Sequence, residues 1–298
     1  MAERKTEALH EKARGIDALA PLDALLLLAS AQAEAALTPA ASVNAISAGA
    51  RLAADALQAG RRLVYAGAGS SGLMAMADAL ELPGTFGIPR ERIAVLLAGG
   101  AESLLNLAGA PEDDLDAARA DARREISKGD CVICVSASGS TPYTLALAQE
   151  AKALEACVVS IANNAGTPLL TLADAAILLE TPPEMISGST RMGAGTAQKI
   201  ALNMFSTLMA IHLGHVHDGR MVNLVADNMK LRQRAAGIVA DIAGVDSDNA
   251  AGCIEAADGA VKTAILLAAG AKDRSEAEAI LSRTSANVRA ALKLLGRA

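Results

Sequence analysis

Two short segments carry the residue types best suited to binding chemistry. Gly67-Ala68-Gly69-Ser70-Ser71-Gly72 and Ser136-Ala137-Ser138-Gly139-Ser140-Thr141-Pro142 each follow a short apolar stretch and lead into a helical pattern. Small residues let a ligand approach the backbone closely. The opening turn of a helix leaves N–H groups unbonded and presents the positive end of its dipole, while Ser and Thr hydroxyls add donors without bulk. Together these features predict an anion site suited to phosphate. Gly67 to Gly72 also spells G-x-G-x-x-G, but a dinucleotide fingerprint needs an acid at the end of the next strand, and Leu96-Leu97-Ala98-Gly99 stands there. Plain tight turns are the competing reading of both loops, since Gly and Ser favour turns in any setting.

The surrounding elements must hold these loops. Arg62–Ala66, Ile93–Leu97, Cys131–Val135, Cys157–Ile161 and Ala175–Leu179 read as strands. Helical patterns alternate with them: Leu73–Leu82, Pro111–Lys128 (opened by Pro and three acids, closed near Gly129) and a stretch from Pro142 to about Leu154. This βαβ alternation predicts an α/β fold with a five-stranded parallel sheet covered on both faces. In such a sheet ligands sit beyond the carboxyl ends of the strands. Residues 1–60 read as helical, punctuated by Pro21 and Pro39, and Thr190–Leu213 as a long buried helix. Short helices after Gly244, Gly259 and Asp273 predict a small terminal bundle. The domain reading is therefore an N-terminal helical segment over 1–60, an α/β domain over 61–222 and a helical region over 223–298.

Composition narrows the function classes. The 298 residues are 52% hydrophobic but hold Trp 0, Tyr 2 and Phe 2, which disfavours aromatic stacking as a means of recognition. A net charge of -6 with no long basic run argues against nucleic acid as a partner. The first dozen residues are charged, unlike a signal peptide, and the early apolar run Ala24–Ala29 is far too short to span a membrane, so a cytoplasmic protein is expected. Cys131 and Cys134 form a C-x-x-C on a strand, where residues three apart point to opposite faces, so they read as structural. His212, His215 and His217 lack a fourth ligand in view, and no metal is expected.

The paired loops G-A-G-S-S-G and S-A-S-G-S-T-P-Y resemble the sugar-isomerase (SIS) fold, which binds phosphosugars. A closer likeness extends from Thr6 to the C-terminal helices. Asp78-Ala79-Leu80-Glu81, Thr85-Phe86-Gly87, Ala98-Gly99-Gly100 and Glu112-Asp113-Asp114 resemble segments of the N-acetylmuramic acid 6-phosphate etherases. Gly188-Ser189-Thr190-Arg191-Met192, with Ala194 to Lys199, resembles that family's most distinctive motif.

The resemblance implies a lyase that removes D-lactate from C3 of N-acetylmuramic acid 6-phosphate, leaving N-acetylglucosamine 6-phosphate, without metal or redox cofactor. It implies Glu81 and Glu112 as the catalytic pair, Glu81 the acid and Glu112 the base. It also implies phosphate contacts from Ser136, Ser138, Gly139, Ser140 and Thr141, with Ser70 and Ser71 nearer the sugar and Ser189 and Thr190 in the distinctive motif. The residues themselves leave plainer readings open. Glu81 sits among small and apolar residues, where poor hydration would raise its pKa, yet it also reads as a solvated acid at a helix end. Glu112 also reads as a first-turn acid favoured by the helix dipole. A homodimer that completes the site is implied as well, and the C-terminal helices resemble a small ubiquitin-associated-type module.

Departures from the family are concentrated at cations. The family's basic residues give way to Leu9, Leu73, Ser140 and Gly193, and an Asp gives way to Asn223. Arg is the preferred partner of carboxylate and phosphate. Their loss sets a substrate lacking the lactyl carboxylate against compensation elsewhere in the chain. An aldose–ketose isomerase and a non-catalytic phosphosugar sensor are the competing functions. Retention of both glutamates favours an enzyme.

Overall fold

A computed structural model describes residues 5–106, 108–224 and 229–297. The chain forms two compact units, one of residues 1–80 and 90–206, the other of 81–89 and 207–298.

In the first unit, α1 (Pro21–Leu37) and α2 (Val43–Gln58) precede β1 (Leu63–Gly67), α3 (Gly69–Phe86), β2 (Ile93–Leu97), α4 (Leu115–Glu125) and β3 (Cys131–Val135). Next come α5 (Pro142–Ala153), β4 (Cys157–Ala162), α6 (Pro168–Leu172), β5 (Ala175–Leu178) and α7 (Gly193–His212). The last turns of α3 and α7 are counted with the second unit. All strands run parallel in the order β2-β1-β3-β4-β5, so the five-stranded sheet read from the sequence is present. β1 and β3 are buried throughout, which is why they read as unbroken apolar runs rather than alternating ones. One core layer joins Val64, Val132, Tyr143, Leu147, Val158 and Leu169. Cys131 and Cys134 are both buried on β3.

Four boundaries differ from the sequence reading. Residues 1–60 are less continuously helical: among the described residues, only 3-10 turns at Lys5–Glu7 and Ile16–Ala18 precede α1. The stretch Pro21–Gln58 is apolar enough to cross a membrane by composition, but the turn Thr38–Ser42 splits it. The resulting helices, of 17 and 16 residues, are each shorter than the roughly 20 residues a span needs.

The helix expected over Pro111–Lys128 begins only at Leu115. Asp114 is extended and its carboxylate accepts the Ala117 N–H at 2.9 Å, so it acts as N-cap and leaves Ala110–Asp113 as a separate 3-10 turn. Likewise α7 begins at Gly193 rather than Thr190. Buried Glu184 accepts the N–H groups of Gly193 and Ala194, both at 2.9 Å, and so fixes where the helix starts. Finally, α3 outruns its expected range at both ends and continues through Pro83.

The second unit opens its C-terminal part with a hairpin, β6 (Val216–His217) and β7 (Arg220–Met221), closed by Asp218 and Gly219. The helices α8 (Met229–Ala243), α9 (Ser247–Ala256), α10 (Val261–Ala268), α11 (Arg274–Arg283) and α12 (Val288–Leu294) follow. Asp246, Asp273 and Asn287 cap α9, α11 and α12 through their side chains. Val222, Leu224, Val239, Ala250, Ile265 and Val288 form its core.

Candidate active site

β1 and β3 are neighbours in the sheet, although β2 lies between them in sequence. The chain leaves β1 towards one edge and returns on the other side through β3. A crevice opens at such a reversal, beyond the carboxyl ends of the two strands. Gly67 and Val135, their last residues, are in register. Both polar loops therefore issue into the same crevice, and the Ser71 hydroxyl ties them together by accepting the Ala137 N–H at 3.2 Å.

The second loop is an array of hydroxyls. Ser136 Oγ lies 2.8 Å from Thr141 Oγ1 and 3.3 Å from Ser138 Oγ, and Ser138 Oγ lies 3.3 Å from Thr141 Oγ1. The N–H groups of Gly139 and Ser140 donate to Ser136 Oγ and Ser138 Oγ, both at 3.2 Å. Thr141 is the N-cap residue of α5 and makes no side-chain cap bond, so the opening N–H groups of that helix have no donor-satisfying side chain of their own.

Loop and hydroxyl array border a cavity of ≈ 310 Å³. Gly69, Ser70 and Ser71 line it from the first loop, Ser138 and Thr141 from the second, and Gly188 and Thr190 from the turn before α7. Glu112 enters from the 3-10 turn before α4. Its carboxyl lies against the head of α3: a Cβ on Gly69, where φ is +52°, would stand 2.7 Å from Oε1. Burial pushes the Glu112 carboxyl above its ordinary value, and the charge of adjacent Asp113 adds to the rise. The first-turn reading of Glu112 is thus corrected, since Asp114 caps α4 and Asp116 occupies its first turn.

Not every residue singled out reaches the cavity wall. Ser136, Gly139 and Ser140 belong to the bonded array but are not among the described lining residues, and the Ser189 N–H turns back to the Ile186 carbonyl at 2.9 Å. Glu81 lies in α3 but belongs to the second unit, and it is exposed. The poor hydration expected of it is therefore absent in the single chain.

Two lining residues escaped the sequence reading. Thr6 and Glu7 come from the N-terminal 3-10 turn. The Asn164 side chain holds that turn in place by donating to Thr6 Oγ1 and the Ala137 carbonyl, both at 3.0 Å, and Gly188 N–H donates to the Thr6 carbonyl at 3.2 Å. The Thr6-Glu7 pair was itself part of the family likeness, and it is the signal that could have found them. Among the described lining residues the charged ones are Glu7 and Glu112, both acidic, so anion binding on this wall falls to hydroxyls and backbone N–H groups.

Residues 30–163 match the family model described as SIS domain. An N-acetylmuramic acid 6-phosphate etherase of Deinococcus radiodurans is 41% identical over 265 residues, covering 89% of this chain and 87% of that protein. Another, of Geobacillus thermodenitrificans, is 37% identical over 289 residues, covering 97% and 98%. Among solved structures, a phosphoheptose isomerase of Francisella tularensis superposes with a TM-score of 0.48 at 21% identity, covering 65% of this chain and 98% of that one.

Proposed function

The chain belongs to the N-acetylmuramic acid 6-phosphate etherase family, and from that premise we propose how its serine-lined cavity carries out the reaction. The protein is a carbon–oxygen lyase acting on a phosphosugar. It cleaves the D-lactyl ether of N-acetylmuramic acid 6-phosphate to N-acetylglucosamine 6-phosphate and D-lactate.

The sugar 6-phosphate rests on Ser138 and Thr141, with Ser136, Gly139 and Ser140 holding the array and the N-terminal end of α5 beneath it. Ser70, Ser71, Ser189 and Thr190 serve the sugar. In the open-chain form the C1 aldehyde acidifies the C2 proton. The Glu112 carboxylate takes that proton, and the electron pair forms the C2–C3 double bond as the C3–O bond breaks. Glu81 gives its proton to the departing lactate oxygen. Water then adds across the double bond, its hydroxyl to C3 and a proton to C2, and both carboxyls return to their starting states. Glu112 is suited to the base role because burial, with the charge of Asp113, raises its proton affinity. Its carboxyl within the hydroxyl-lined cavity is the observation that carries this reading.

A homodimer follows from the same reading. Leu22, Leu25 and Leu26 of α1 are 74%, 59% and 69% exposed, an apolar surface that a second copy would cover. The described residues of the cavity wall include no cation for the substrate's phosphate or carboxylate, and Glu81 is exposed. A second copy would desolvate Glu81 and supply what this wall lacks. The dimer is read as cytoplasmic, with no nucleic-acid or membrane partner.

Incubation with N-acetylmuramic acid 6-phosphate should release D-lactate and N-acetylglucosamine 6-phosphate in equal amounts. An aldose–ketose isomerase would use the same C2 proton but release no lactate. Folded protein that binds the sugar phosphate and yields an isomeric sugar alone would overturn the assignment.

A further inference from the structure

Glu7 is fastened through its backbone turn while its carboxylate is left without a partner. The Thr6 N–H donates to Asn164 Oδ1 at 3.4 Å, and Thr6 Oγ1 accepts from Asn164 Nδ2 at 3.0 Å. The Thr6 carbonyl accepts the Gly188 N–H at 3.2 Å, and the Glu7 carbonyl accepts the Ser187 hydroxyl at 2.8 Å. Among the described residues, no hydrogen bond or ion pair reaches the Glu7 carboxylate itself. The nearby cation, Lys5, pairs with Glu180 instead, at 3.2 Å.

An exposed acid usually does no more than meet water. Glu7 differs because its turn is built into the wall of the serine-lined cavity. Asn164 ties Thr6 to the Ala137 carbonyl of the second polar loop, and Gly188 ties it to the turn before α7. Ala137, Gly188 and Glu7 all line that cavity, and a Cβ on Gly188 would stand 3.5 Å from Glu7 Oε2. An ionised carboxylate accepts hydrogen bonds and donates none. It cannot bond a phosphate dianion and repels one across a short distance. A neutral donor, by contrast, makes a charge-assisted bond to it, stronger than a bond between neutral groups.

The cavity therefore sets two unlike demands on one ligand: an anion at the hydroxyl array and an uncharged donor at Glu7. We infer that Glu7 is a specificity-determining residue, which accepts a hydrogen bond from an uncharged donor of the sugar and so selects phosphate esters of sugars over phosphates that carry no such group. This inference rests on the phosphosugar reading of the cavity and adds a residue to it. Glu112, the other acid among the described lining residues, is already given to the C2 proton. Discrimination then has both an attractive and a repulsive part, because the same carboxylate that bonds the sugar disfavours free phosphate. A site built to bond a substrate hydroxyl or N–H also rejects analogues that lack it.

The unaltered chain, Glu7→Ala and Glu7→Gln, each checked for folding by circular dichroism, should be titrated in a calorimeter with ethyl phosphate, glucose 6-phosphate and N-acetylglucosamine 6-phosphate. Ethyl phosphate carries the ester but neither hydroxyl nor amide donor. Glu7→Ala should weaken sugar-phosphate binding relative to ethyl phosphate by about tenfold or more, while affinity for ethyl phosphate holds or rises as the repelling charge goes. Glu7→Gln keeps one acceptor oxygen and should show a smaller fall. A fall for both sugar phosphates assigns the donor to a hydroxyl; a fall for N-acetylglucosamine 6-phosphate alone assigns it to the acetamido N–H. Equal weakening of all three ligands, the mark of a merely structural role, or an unchanged ratio would overturn the inference and leave the phosphosugar reading standing. Failure of the unaltered chain to bind either sugar phosphate would overturn that reading and this inference with it.

Discussion

The carboxyl of Glu112 lies over Gly69, so close that a Cβ on the glycine would stand 2.7 Å from Oε1. The first residue of α3 and an acid of the turn before α4 thus share one wall of the cavity. Gly69→Ala adds both a left-handed alanine and a collision with the proposed base. The substitution should cost about 1 kcal/mol of stability. It should lower lactate release by roughly 10- to 100-fold, because small displacements of a catalytic group are costly. Thermal unfolding and a lactate assay on the same preparation separate the two effects.

Asp113→Asn tests what sets the proton affinity of Glu112. Burial is the larger cause of the raised value and the charge of Asp113 the smaller. A base must be ionised to act, so the acid limb of the kcat/KM profile reports this group. Removing the like charge lowers the Glu112 pKa and should move that limb to lower pH. Burial persists in the variant, so the limb should remain above the ordinary carboxylate value. An unmoved limb would assign it to another group.

Thr141→Val keeps the shape of the loop and removes one hydroxyl from an array in which Ser136 Oγ is 2.8 Å away. Loss of one such bond is worth about 1 kcal/mol or somewhat more. The KM for the sugar 6-phosphate should rise up to about tenfold with kcat changing less, as measured in steady-state kinetics.

Glu184→Ala removes the acceptor of two buried N–H groups at the start of α7. Leaving both unsatisfied should cost about 2 kcal/mol, read as a lower denaturant midpoint with an unchanged slope. Glu184→Gln keeps one acceptor oxygen and should lose less.

The five strands and both hydroxyl loops were legible because each depends on short-range pattern: unbroken apolar runs, then small polar residues. The crevice followed from the βαβ order. Glu112 was less legible. Pro111 and three successive acids suit a helix start, and only the extended backbone of Asp114, with its bond to Ala117, decides that the helix begins later. That choice releases Glu112 from the helix into the cavity wall. The Thr6-Glu7 turn was hidden for another reason: Asn164 holds it across 158 positions of sequence. Glu81 illustrates a third limit. Apolar neighbours along a helix do not imply burial when the residue lies on its exposed face.

Proton removal from C2 by Glu112 is the central step of the proposed reaction. N-acetylmuramic acid 6-phosphate should be converted in deuterium oxide by the unaltered protein and by Glu112→Gln, with folding of both checked by circular dichroism. The unaltered protein should yield lactate together with N-acetylglucosamine 6-phosphate labelled at C2. In the variant, lactate release and C2 labelling should fall together, by roughly 10²- to 10⁴-fold. Lactate release by Glu112→Gln at the unaltered rate would contradict the account.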